Sequence, residues 1–348
     1  MAKARVAING FGRIGRLFFR QAFEASDLDI VAINDLGDVE NLAYLLKYDT
    51  VYGRYGKDIK TVPAVPGGHG KLVVDGKEIA FLQVKDPTQL PWKDMQVDIV
   101  VESTGIFDTY EKAKVHLAAG SKRVVITAPA KDDDGAAGQT VLMGVNEDNA
   151  KTCQITSNGS CTTNSASPVI QVLSEALGIE KAMLATIHAY TATQALVDGP
   201  IRPGGRDFRK GRAAAQNTVP ETTGAAISVA RAIPAMKGRF DGISFRVPNI
   251  TGSISSITLL AKRATTVEEV AKMLSDAAAS PRWQGILRVT ADQLVSSDII
   301  GEPYGATVPL DLIKVVDGNL VNVLSWYDNE AGYVSTLIRH VEKVAEIL

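Results

Sequence analysis

The stretch Gly10-Phe11-Gly12-Arg13-Ile14-Gly15 decides the fold of the N-terminal half of the chain. It follows a predicted strand at residues 5–9 and opens a segment whose apolar residues recur at helical spacing. A G-x-G-x-x-G pattern between a strand and a helix is typical of dinucleotide binding. Gly10 permits a tight turn, Gly12 lets the backbone approach a pyrophosphate, and the third glycine allows close helix packing. The amides of Arg13 and Ile14 would then face the anion.

A carboxylate stands where a dinucleotide site needs one. Asp35 closes a second predicted strand, residues 29–35, and lies about 20 residues after the last glycine of the motif. At that position it can accept hydrogen bonds from a ribose diol and would repel a 2′-phosphate, which favours NAD over NADP. The alternative is that the glycines form a simple strand-to-helix turn and Asp35 ends a strand. Strand, glycines, helix and acid together favour the cofactor site.

The alternation of strand-like and helical segments predicts the fold class, which is α/β. A Rossmann-type parallel sheet is expected in the first half, with strands at residues 5–9, 29–35, 98–104, 123–128 and 140–145. Residues 55–91 are richer in Gly and Pro and carry a hairpin signal at Asp75-Gly76. This segment is therefore expected to form an excursion from the sheet.

The second half has a different texture and predicts an α+β catalytic domain. Its strand-like runs lack regular helical crossovers, which indicates a mixed or antiparallel sheet. These runs are residues 182–191, 242–247, 253–262 and 319–326, with helices expected at 169–177 and 267–279. The last segment is apolar at helical spacing and is expected to dock on the first domain. The predicted domains are 1–160, joined by the C-terminal helix 329–348, and 161–328.

Composition excludes several classes of protein. The 348 residues carry 37 Lys+Arg against 39 Asp+Glu, so a formal net charge of -2 gives no field that would gather nucleic acid or an anionic membrane. No apolar run approaches the ~20 residues of a membrane-spanning helix, and a cytoplasmic location is expected. Two cysteines and four scattered histidines predict neither a disulfide framework nor a metal site.

Two residues are candidates for covalent catalysis. Cys161 lies between a predicted strand and a predicted helix, where helix amides and the helix dipole favour a thiolate. His188 ends a predicted strand, where an imidazole could serve as the base. The plainer alternative is strong, because most cysteines are small buried hydrophobes, as Cys153 is expected to be, and His188 could be a core residue. The residues alone leave this choice open.

Further motifs resemble those of the glyceraldehyde-3-phosphate dehydrogenases, in order and over nearly the whole chain. The signature at the nucleophile is highly specific. The matching motifs are the glycine stretch, Asn34-Asp35-Leu36, Glu102-Ser103-Thr104-Gly105, Ser160-Cys161-Thr162-Thr163-Asn164, Ala189-Tyr190-Thr191, Phe245-Arg246-Val247-Pro248 and Ser325-Trp326-Tyr327-Asp328-Asn329-Glu330.

The resemblance implies a phosphorylating, NAD-dependent oxidation of an aldehyde through a thioester. Cys161 would be the nucleophile and His188 the base. Thr191 and Arg246 would hold the substrate phosphate, and Ser160, Thr223 and Gly224 the attacking phosphate. The resemblance also implies that Thr162 and Lys210 are among the phosphate-binding residues. Ser103, Thr104, Thr127 and Asn329 would line the cofactor. The family also implies a homotetramer, with glyceraldehyde 3-phosphate and inorganic phosphate as partners.

The sequence departs from the family pattern near the expected phosphate sites. Ala192-Thr193 replaces a more usual Asn-Asp pair, Lys210 stands at what is usually an arginine, and residues 199–206 are unusually rich in Gly, Pro and Arg. Two alternatives therefore stay open. One is a related cysteine enzyme that acts on another aldehyde phosphate, such as erythrose 4-phosphate. The other is a non-catalytic dinucleotide-binding scaffold, whose thiols would be inert to iodoacetate at neutral pH.

Overall fold

The computed structural model describes residues 3–64, 68–201 and 204–348, and the chain divides into two compact units. The first unit comprises Met1–Gly159 and Val334–Leu348, and the second comprises Ser160–Tyr333. Arg202 and Pro203, in the basic segment 199–206, lie outside the described residues. Among the described helices, none combines the length and the apolar character needed to cross a membrane.

The first unit is built on a nine-stranded sheet and has three helices in its N-terminal segment. Its helices are α1 (Arg13–Ala22), α2 (Val39–Lys47) and α3 (Tyr110–Ala118). Its strands are β1 (Ala4–Asn9), β2 (Leu28–Asn34), β3 (Tyr48–Asp49), β4 (Gly53–Arg54), β5 (Ile59–Val62), β6 (Gly70–Val74), β7 (Lys77–Leu82), β8 (Ile99–Glu102), β9 (Arg123–Ile126), β10 (Gln139–Thr140) and β11 (Ile155–Ser157). The sheet order is β10-β11-β9-β8-β1-β2-β7-β6-β5, while β3 and β4 pair separately.

The centre of this sheet is parallel, as the sequence predicts. Strand β1 pairs in parallel with β2 on one side and with β8 on the other. The chain therefore reverses its direction of winding between β1 and β8. In open parallel sheets, ligands bind outside the carboxyl ends of the strands at such a reversal. The fold thus places the glycine stretch, which follows β1, at the edge where a dinucleotide is expected.

The hairpin predicted at Asp75-Gly76 is confirmed, but the excursion from the sheet is wrong. Asp75 and Gly76 have φ of 47° and 83°, the left-handed region that a tight two-residue turn needs. The turn joins β6 to β7 in antiparallel register, and β7 then pairs in parallel with β2. The segment therefore extends the sheet at one edge, because the backbone of β2 offered an unpaired side to it.

The strand predicted at residues 140–145 is mostly absent. Only Gln139–Thr140 forms strand β10, and the following residues make a turn in which the amide of Leu142 donates to Oδ1 of Asn146 at 2.8 Å. The apolar residues Leu142 and Met143 are buried although they lie outside any strand. An apolar run alone does not distinguish a buried strand from a buried segment that forms no strand.

The second unit is built on an eight-stranded mixed sheet, as predicted. Its helices are α4 (Cys161–Leu177), α5 (Ala225–Ala232) and α6 (Val267–Ala278). Its strands are β12 (Ile179–Ala189), β13 (Val219–Thr222), β14 (Phe240–Val247), β15 (Ser253–Ala261), β16 (Leu287–Thr290), β17 (Ala306–Pro309), β18 (Lys314–Val316) and β19 (Leu320–Tyr327). The order is β13-β14-β12-β15-β19-β17-β16, with β18 also on β19. Strands β12 and β14 are parallel, whereas β12 and β15 are antiparallel.

Helix α7 (Ala331–Ala345) is the C-terminal helix that the sequence predicts. From Val334 onward it belongs to the first unit. Val334, Leu337, Val341 and Val344 are at most 1% exposed, so the apolar stripe is buried as expected, although Leu348 at its end is exposed.

Candidate functional site

The glycine stretch of the first unit has the geometry that a pyrophosphate site requires. Gly10 has φ of +95°, and a Cβ there would lie 2.6 Å from the amide nitrogen of Thr104. A Cβ at Gly15 would lie 2.1 Å from the carbonyl oxygen of Gly10. By contrast, a Cβ at Gly12 would meet nothing within 4 Å. Helix α1 begins at Arg13, so the amides of Arg13 and Ile14 are among those that have no acceptor within the helix.

Asp35 contacts the glycine turn directly. Its Oδ2 accepts a hydrogen bond from the amide of Phe11 at 2.6 Å, and its Oδ1 accepts one from the amide of Gly37 at 2.8 Å. The carboxylate is only partly buried, so its remaining lone pairs can still meet a ligand. Asp35 therefore orients the turn that it would share with the cofactor.

The residues predicted along the sheet edge lie at the carboxyl ends of the central strands. The hydroxyl of Ser103 donates to the carbonyl of Gly10 at 2.6 Å. The amide of Thr127 donates to the carbonyl of Glu102 at 3.0 Å. Arg13 is engaged by an ion pair with Asp49. The structure brings the sequence-predicted cofactor residues of this unit to one edge, and this arrangement fits a dinucleotide.

In the second unit, Cys161 is the first residue of α4, directly after the N-cap residue Ser160. The hydroxyl of Ser160 accepts from the amide of Thr163 at 3.1 Å, and Oγ1 of Thr163 accepts from the amide of Ser160 at 3.2 Å. This reciprocal capping box fixes where the helix begins. It therefore fixes where the Cys161 thiol lies.

The thiol meets an imidazole. Sγ of Cys161 lies 3.3 Å from Nε2 of His188, near the end of β12. The Tyr327 ring packs edge-on against the imidazole, with the ring centroids 5.9 Å apart. The start of α4 and the end of β12 thus bring together the two residues that the sequence proposed for covalent catalysis.

Burial shifts the pKa of both groups. It lowers the pKa of His188 to about 3, with the Arg246 guanidinium acting in the same direction, so the imidazole is neutral. Burial also raises the pKa of the Cys161 thiol, although Arg246 and the Thr162 amide act against it. Desolvation therefore opposes the thiolate that the start of the helix favours. A neutral imidazole is nevertheless the form that can accept a proton.

A buried carboxylate links two cations beside His188. Nη1 of Arg246 lies 2.7 Å from Nδ1 of His188, and Nε of Arg246 donates to Oε2 of Glu221 at 2.9 Å. Lys210 pairs with the other oxygen of Glu221. Lys210 and Arg246, each expected to bind phosphate, therefore share one partner. These ion pairs lower the pKa of Glu221, even though burial alone would raise it.

Glu221 was missed by sequence reasoning. It lies two residues after buried Val219 in β13 and therefore on the same face of the strand, so its inward position could have been predicted from the strand period. Its contact with Arg246 could not, because it depends on the pairing of β13 with β14.

The other predicted phosphate ligands are not joined to one another by hydrogen bonds among the described residues. Thr191 is half-buried and its hydroxyl contacts that of Thr193 at 2.9 Å. Gly224 is the N-cap residue of α5, and Oγ1 of Thr223 accepts from the amide of Ala225 at 3.2 Å. Among the residues that the structure describes, no hydrogen bond joins Ser160 to Thr223 or Gly224. Both groups are nevertheless at helix starts, where amides favour anions.

Thr162 is buried and serves the packing of the site. Its hydroxyl lies 2.9 Å from the hydroxyl of Tyr327, which in turn lies 2.7 Å from Oγ1 of Thr186. Its side chain is only 4% exposed, and phosphate binding by Thr162 stays a prediction.

The side chain of Asn329, near the end of the second unit, is held by hydrogen bonds to its amide oxygen. Oδ1 accepts from the amide of Gly252 at 3.1 Å and from the hydroxyl of Ser253 at 3.0 Å. These contacts fix the orientation of the side chain. Within the described part of the chain, no group of three or more His, Cys, Asp or Glu side chains could hold a metal ion.

Comparison with known proteins agrees with this geometry. Residues 4–110 match the description "Glyceraldehyde 3-phosphate dehydrogenase, NAD binding domain", and residues 160–329 match "Glyceraldehyde 3-phosphate dehydrogenase, C-terminal domain". The chain belongs to the glyceraldehyde-3-phosphate dehydrogenase family. As a family member it carries an NAD-binding domain at the glycine stretch and a second family domain that begins at Ser160.

Curated relatives extend the match to nearly the full chain. A glyceraldehyde-3-phosphate dehydrogenase of Thermotoga maritima is 46% identical over 342 residues, which cover 97% of this chain and 98% of the relative. Those of Streptomyces coelicolor and Clostridium pasteurianum are each 44% identical, over 96% and 99% of both chains respectively. The glyceraldehyde-3-phosphate dehydrogenase family is therefore matched by both units.

Proposed function

We propose that this chain oxidises glyceraldehyde 3-phosphate to 1,3-bisphosphoglycerate with reduction of NAD+, through a thioester at Cys161. The observation that carries the proposal is the 3.3 Å approach of Sγ of Cys161 to Nε2 of a neutral His188 at a helix start. A nucleophile within reach of its base is what covalent catalysis on an aldehyde needs. A non-catalytic scaffold has no use for this pair.

The first step forms a carbon–sulfur bond. Nε2 of His188 takes the thiol proton of Cys161, the sulfur attacks the aldehyde carbon, and the carbonyl oxygen then takes that proton back from Nε2 to give a thiohemiacetal. Nε2 of His188 then takes the hydroxyl proton as the hydride departs and the carbonyl re-forms as a thioester. NAD+, when bound, supplies the acceptor for that hydride. In the last step an oxygen of inorganic phosphate bonds to the thioester carbon, the carbon–sulfur bond breaks, and the Cys161 thiolate is regenerated.

His188 can accept a proton on Nε2 only when its own proton is on Nδ1. The carbonyl oxygen of Ala189, 2.6 Å from Nδ1, is the acceptor that this tautomer requires. Arg246 only donates, so its 2.7 Å contact with Nδ1 belongs to the other tautomer. A substrate phosphate that draws Arg246 toward itself would free Nδ1 and so prepare the base.

The phosphate sites are proposed on the remaining polar groups. Arg246 and Thr191 would hold the substrate phosphate, because a guanidinium and a hydroxyl suit phosphate oxygens. Lys210, Ser160, Thr223 and Gly224 would hold the attacking phosphate. Lys210 already pairs with Glu221. It would therefore bind the phosphate as a point charge while it stays paired with that carboxylate.

The cofactor residues are proposed in the same way. Gly10, Gly12, Arg13 and Ile14 would meet the pyrophosphate, and Asp35 the adenosine ribose. Ser103, Thr104 and Thr127 would line the nicotinamide side of the sheet edge. Because Oδ1 of Asn329 is engaged by Gly252 and Ser253, its Nδ2 group is the end that would serve the nicotinamide carboxamide.

We further propose a cytoplasmic homotetramer with domains 1–160 plus 329–348 and 161–328. One observation supports association: Met183 and Ile187 on β12 and Ile243 on β14 are 58%, 38% and 41% exposed and lie on the same face of the sheet. An exposed apolar sheet face is a candidate for contact with a second subunit. Sedimentation equilibrium of the wild type and of Met183→Lys tests this proposal, with loss of assembly expected for the variant.

The activity is tested by following NADH formation. With glyceraldehyde 3-phosphate and either phosphate or arsenate, we expect continuous turnover. Without an acceptor, we expect a burst of about one NADH per active site, since the thioester accumulates. Continuous NADH formation without an acceptor would show that water takes the acyl group instead. A higher kcat/KM with erythrose 4-phosphate would assign the substrate to the other aldehyde phosphate.

Iodoacetate separates an enzyme from a scaffold. We expect loss of activity to accompany modification of one thiol, at Cys161, while Cys153 stays unmodified because it is buried. Two thiols inert at neutral and mildly alkaline pH would contradict the proposed nucleophile.

A further inference from the structure

A chain of buried polar side chains lies beneath the glycine turn of the first unit. It consists of Asn34, Asn9, Glu102, His116 and Trp92, each at most 7% exposed. We call these residues the buried polar chain. Nδ2 of Asn34 donates to Oδ1 of Asn9 at 2.8 Å, and Nδ2 of Asn9 donates to Oε2 of Glu102 at 2.6 Å. Nε2 of His116 lies 3.0 Å from the same carboxyl oxygen, and Nε1 of Trp92 lies 3.3 Å from Nδ1 of His116.

The hydrogen bonds fix the charges of this chain. The indole of Trp92 can only donate, so Nδ1 of His116 must offer a lone pair. The imidazole proton is therefore on Nε2, where it is donated to Glu102, and the ring is neutral. The amide and hydroxyl of Thr104 both donate to Oε1 of Glu102, the amide at 2.9 Å. Every contact of the Glu102 side chain comes from a donor, so the group is a carboxylate anion.

No neighbouring cation compensates this charge. Across residues 3–64, 68–201 and 204–348, the only side chain in ion-pair range of Glu102 is His116, at 3.0 Å, which is neutral in this tautomer. Burying a carboxylate without a cation is costly unless hydrogen bonds satisfy it. Four donors do so here. The cost is therefore partly offset, and a full negative charge remains fixed in a dry part of the first unit.

The charge lies at the edge where the cofactor residues are. Glu102, Asn9 and Asn34 are the last residues of β8, β1 and β2, which are neighbours in the sheet. The residue that follows each of them belongs to the proposed cofactor site. A Cβ on Gly10 would lie 2.6 Å from the amide nitrogen of Thr104, so these turns are in close contact.

We propose that Glu102 is a specificity-determining residue that makes the enzyme bind oxidised NAD+ more tightly than NADH. The nicotinamide ring of NAD+ carries a positive charge that hydride addition removes. A fixed, uncompensated anion at this edge stabilises the charged ring more than the neutral one. The affinity for the cofactor thus falls once the hydride has been transferred, which favours release of NADH. The proposal rests on NAD as the cofactor, but not on the chemistry at Cys161.

The test compares the affinities of the two redox forms by calorimetry, without any aldehyde. Chains that carry Cys161→Ser are used throughout, so that the sulfur contributes no charge. With Glu102 intact, we expect the Kd of NADH to exceed that of NAD+ by about five- to tenfold, the order expected for one unit charge acting across about 12–16 Å at an effective dielectric constant of ~20. Equal affinities would overturn the proposal without any further variant.

Two substitutions separate charge from structure. Glu102→Gln removes the charge, and we expect the ratio of the two Kd values to fall by about fivefold, mainly because NAD+ binds more weakly. Glu102→Asp also disturbs the packing but keeps the charge, so the ratio is expected to stay within about twofold of its original value. Equal weakening of both cofactor forms by Glu102→Gln would mean that Glu102 has a structural role only. Failure of the proposed aldehyde oxidation would leave this binding preference unchanged.

Discussion

Sγ of Cys161 lies 3.3 Å from Nε2 of His188, and a reciprocal cap by Ser160 and Thr163 fixes the helix start that carries the thiol. Both positions are set by backbone elements and not by flexible loops. The pair is therefore in place before any substrate arrives, as preorganised catalysis requires.

Replacing Cys161 by Ser should lower kcat by on the order of 10⁴-fold, because a hydroxyl is a far poorer nucleophile and cannot form the thioester. Steady-state NADH formation measures the loss. Cys153→Ser is the matched control, since the thiol of Cys153 is buried and contacts the carbonyl of Ile155 at 3.2 Å. Its kcat should stay within about twofold of wild type. A Cys161→Ser enzyme with normal turnover would remove the basis of the proposed mechanism.

Replacing His188 by Asn should lower kcat by about 10²- to 10⁴-fold, the usual contribution of a positioned base. The amide keeps some polarity but cannot take the thiohemiacetal proton. His69→Asn is the control, and it should leave kcat nearly unchanged because His69 is exposed and lies in the first unit. Rapid-quench measurement of the first turnover distinguishes slow chemistry from slow release. If both variants lost activity equally, the role assigned to His188 would be wrong.

Replacing Arg246 by Lys should raise the KM for glyceraldehyde 3-phosphate by about 10- to 100-fold, with a smaller change in kcat. A lysine keeps the charge but cannot bond Glu221 and a phosphate at once through a planar fork. Arg288→Lys is the control, because Arg288 pairs with Glu302 at 2.7 Å in the same unit but away from His188. An unchanged KM in Arg246→Lys would show that the substrate phosphate binds elsewhere.

Replacing Asp35 by Ala should raise the Kd of NAD by about tenfold and narrow the preference for NAD over NADP. The substitution removes the partner of the ribose and also the acceptor that holds the Phe11 amide at 2.6 Å. Fluorescence titration with NAD and NADP measures both effects. Asp148→Ala, at an exposed carboxylate paired with Lys151, serves as the control. If Asp35→Ala raised the Kd of NAD and the Kd of NADP by the same factor, Asp35 would only hold the glycine turn in place.

Local sequence patterns predicted most of the fold. The glycine stretch, the helix from Arg13 and the hairpin at Asp75-Gly76 all depend on residues adjacent in the chain, where turn geometry and period determine the outcome. The excursion was wrong because pairing of β7 with β2 depends on strands about 50 residues apart. No local signal records which strand takes the free edge of a sheet.

The candidate site was predictable to a lesser extent. Cys161 and His188 could be proposed from their positions at a helix start and a strand end, whereas the resemblance supplied Arg246. The contacts of Glu221 and of the pair Glu102–His116 could not be predicted, because each contact joins different strands or a strand and a helix. The burial that opposes the thiolate of Cys161 was not visible either, since the sequence shows only the favourable helix start.

His340 should make the stability of the enzyme depend on acidity. Nδ1 of His340 lies 3.1 Å from Oδ1 of Asn158, while Nε2 is buried and has no hydrogen-bond partner among the described residues. Burial lowers the pKa of His340 to about 3, against about 6.5 in the unfolded chain. Between these values the unfolded state binds more protons, so the free energy of unfolding falls as the pH is lowered from 6.5 toward 3.

His340→Gln should remove this contribution, because glutamine does not titrate. Urea unfolding at pH 7 and pH 5 measures the slope, and the variant should lose about 2 kcal/mol less stability than wild type over that interval. The slope is the readout, since repacking around Gln shifts the stability at both pH values together. His69→Gln, at an exposed side chain, controls for the loss of a histidine. Parallel pH dependence in His340→Gln and wild type would show that His340 is not a group whose protonation opposes folding.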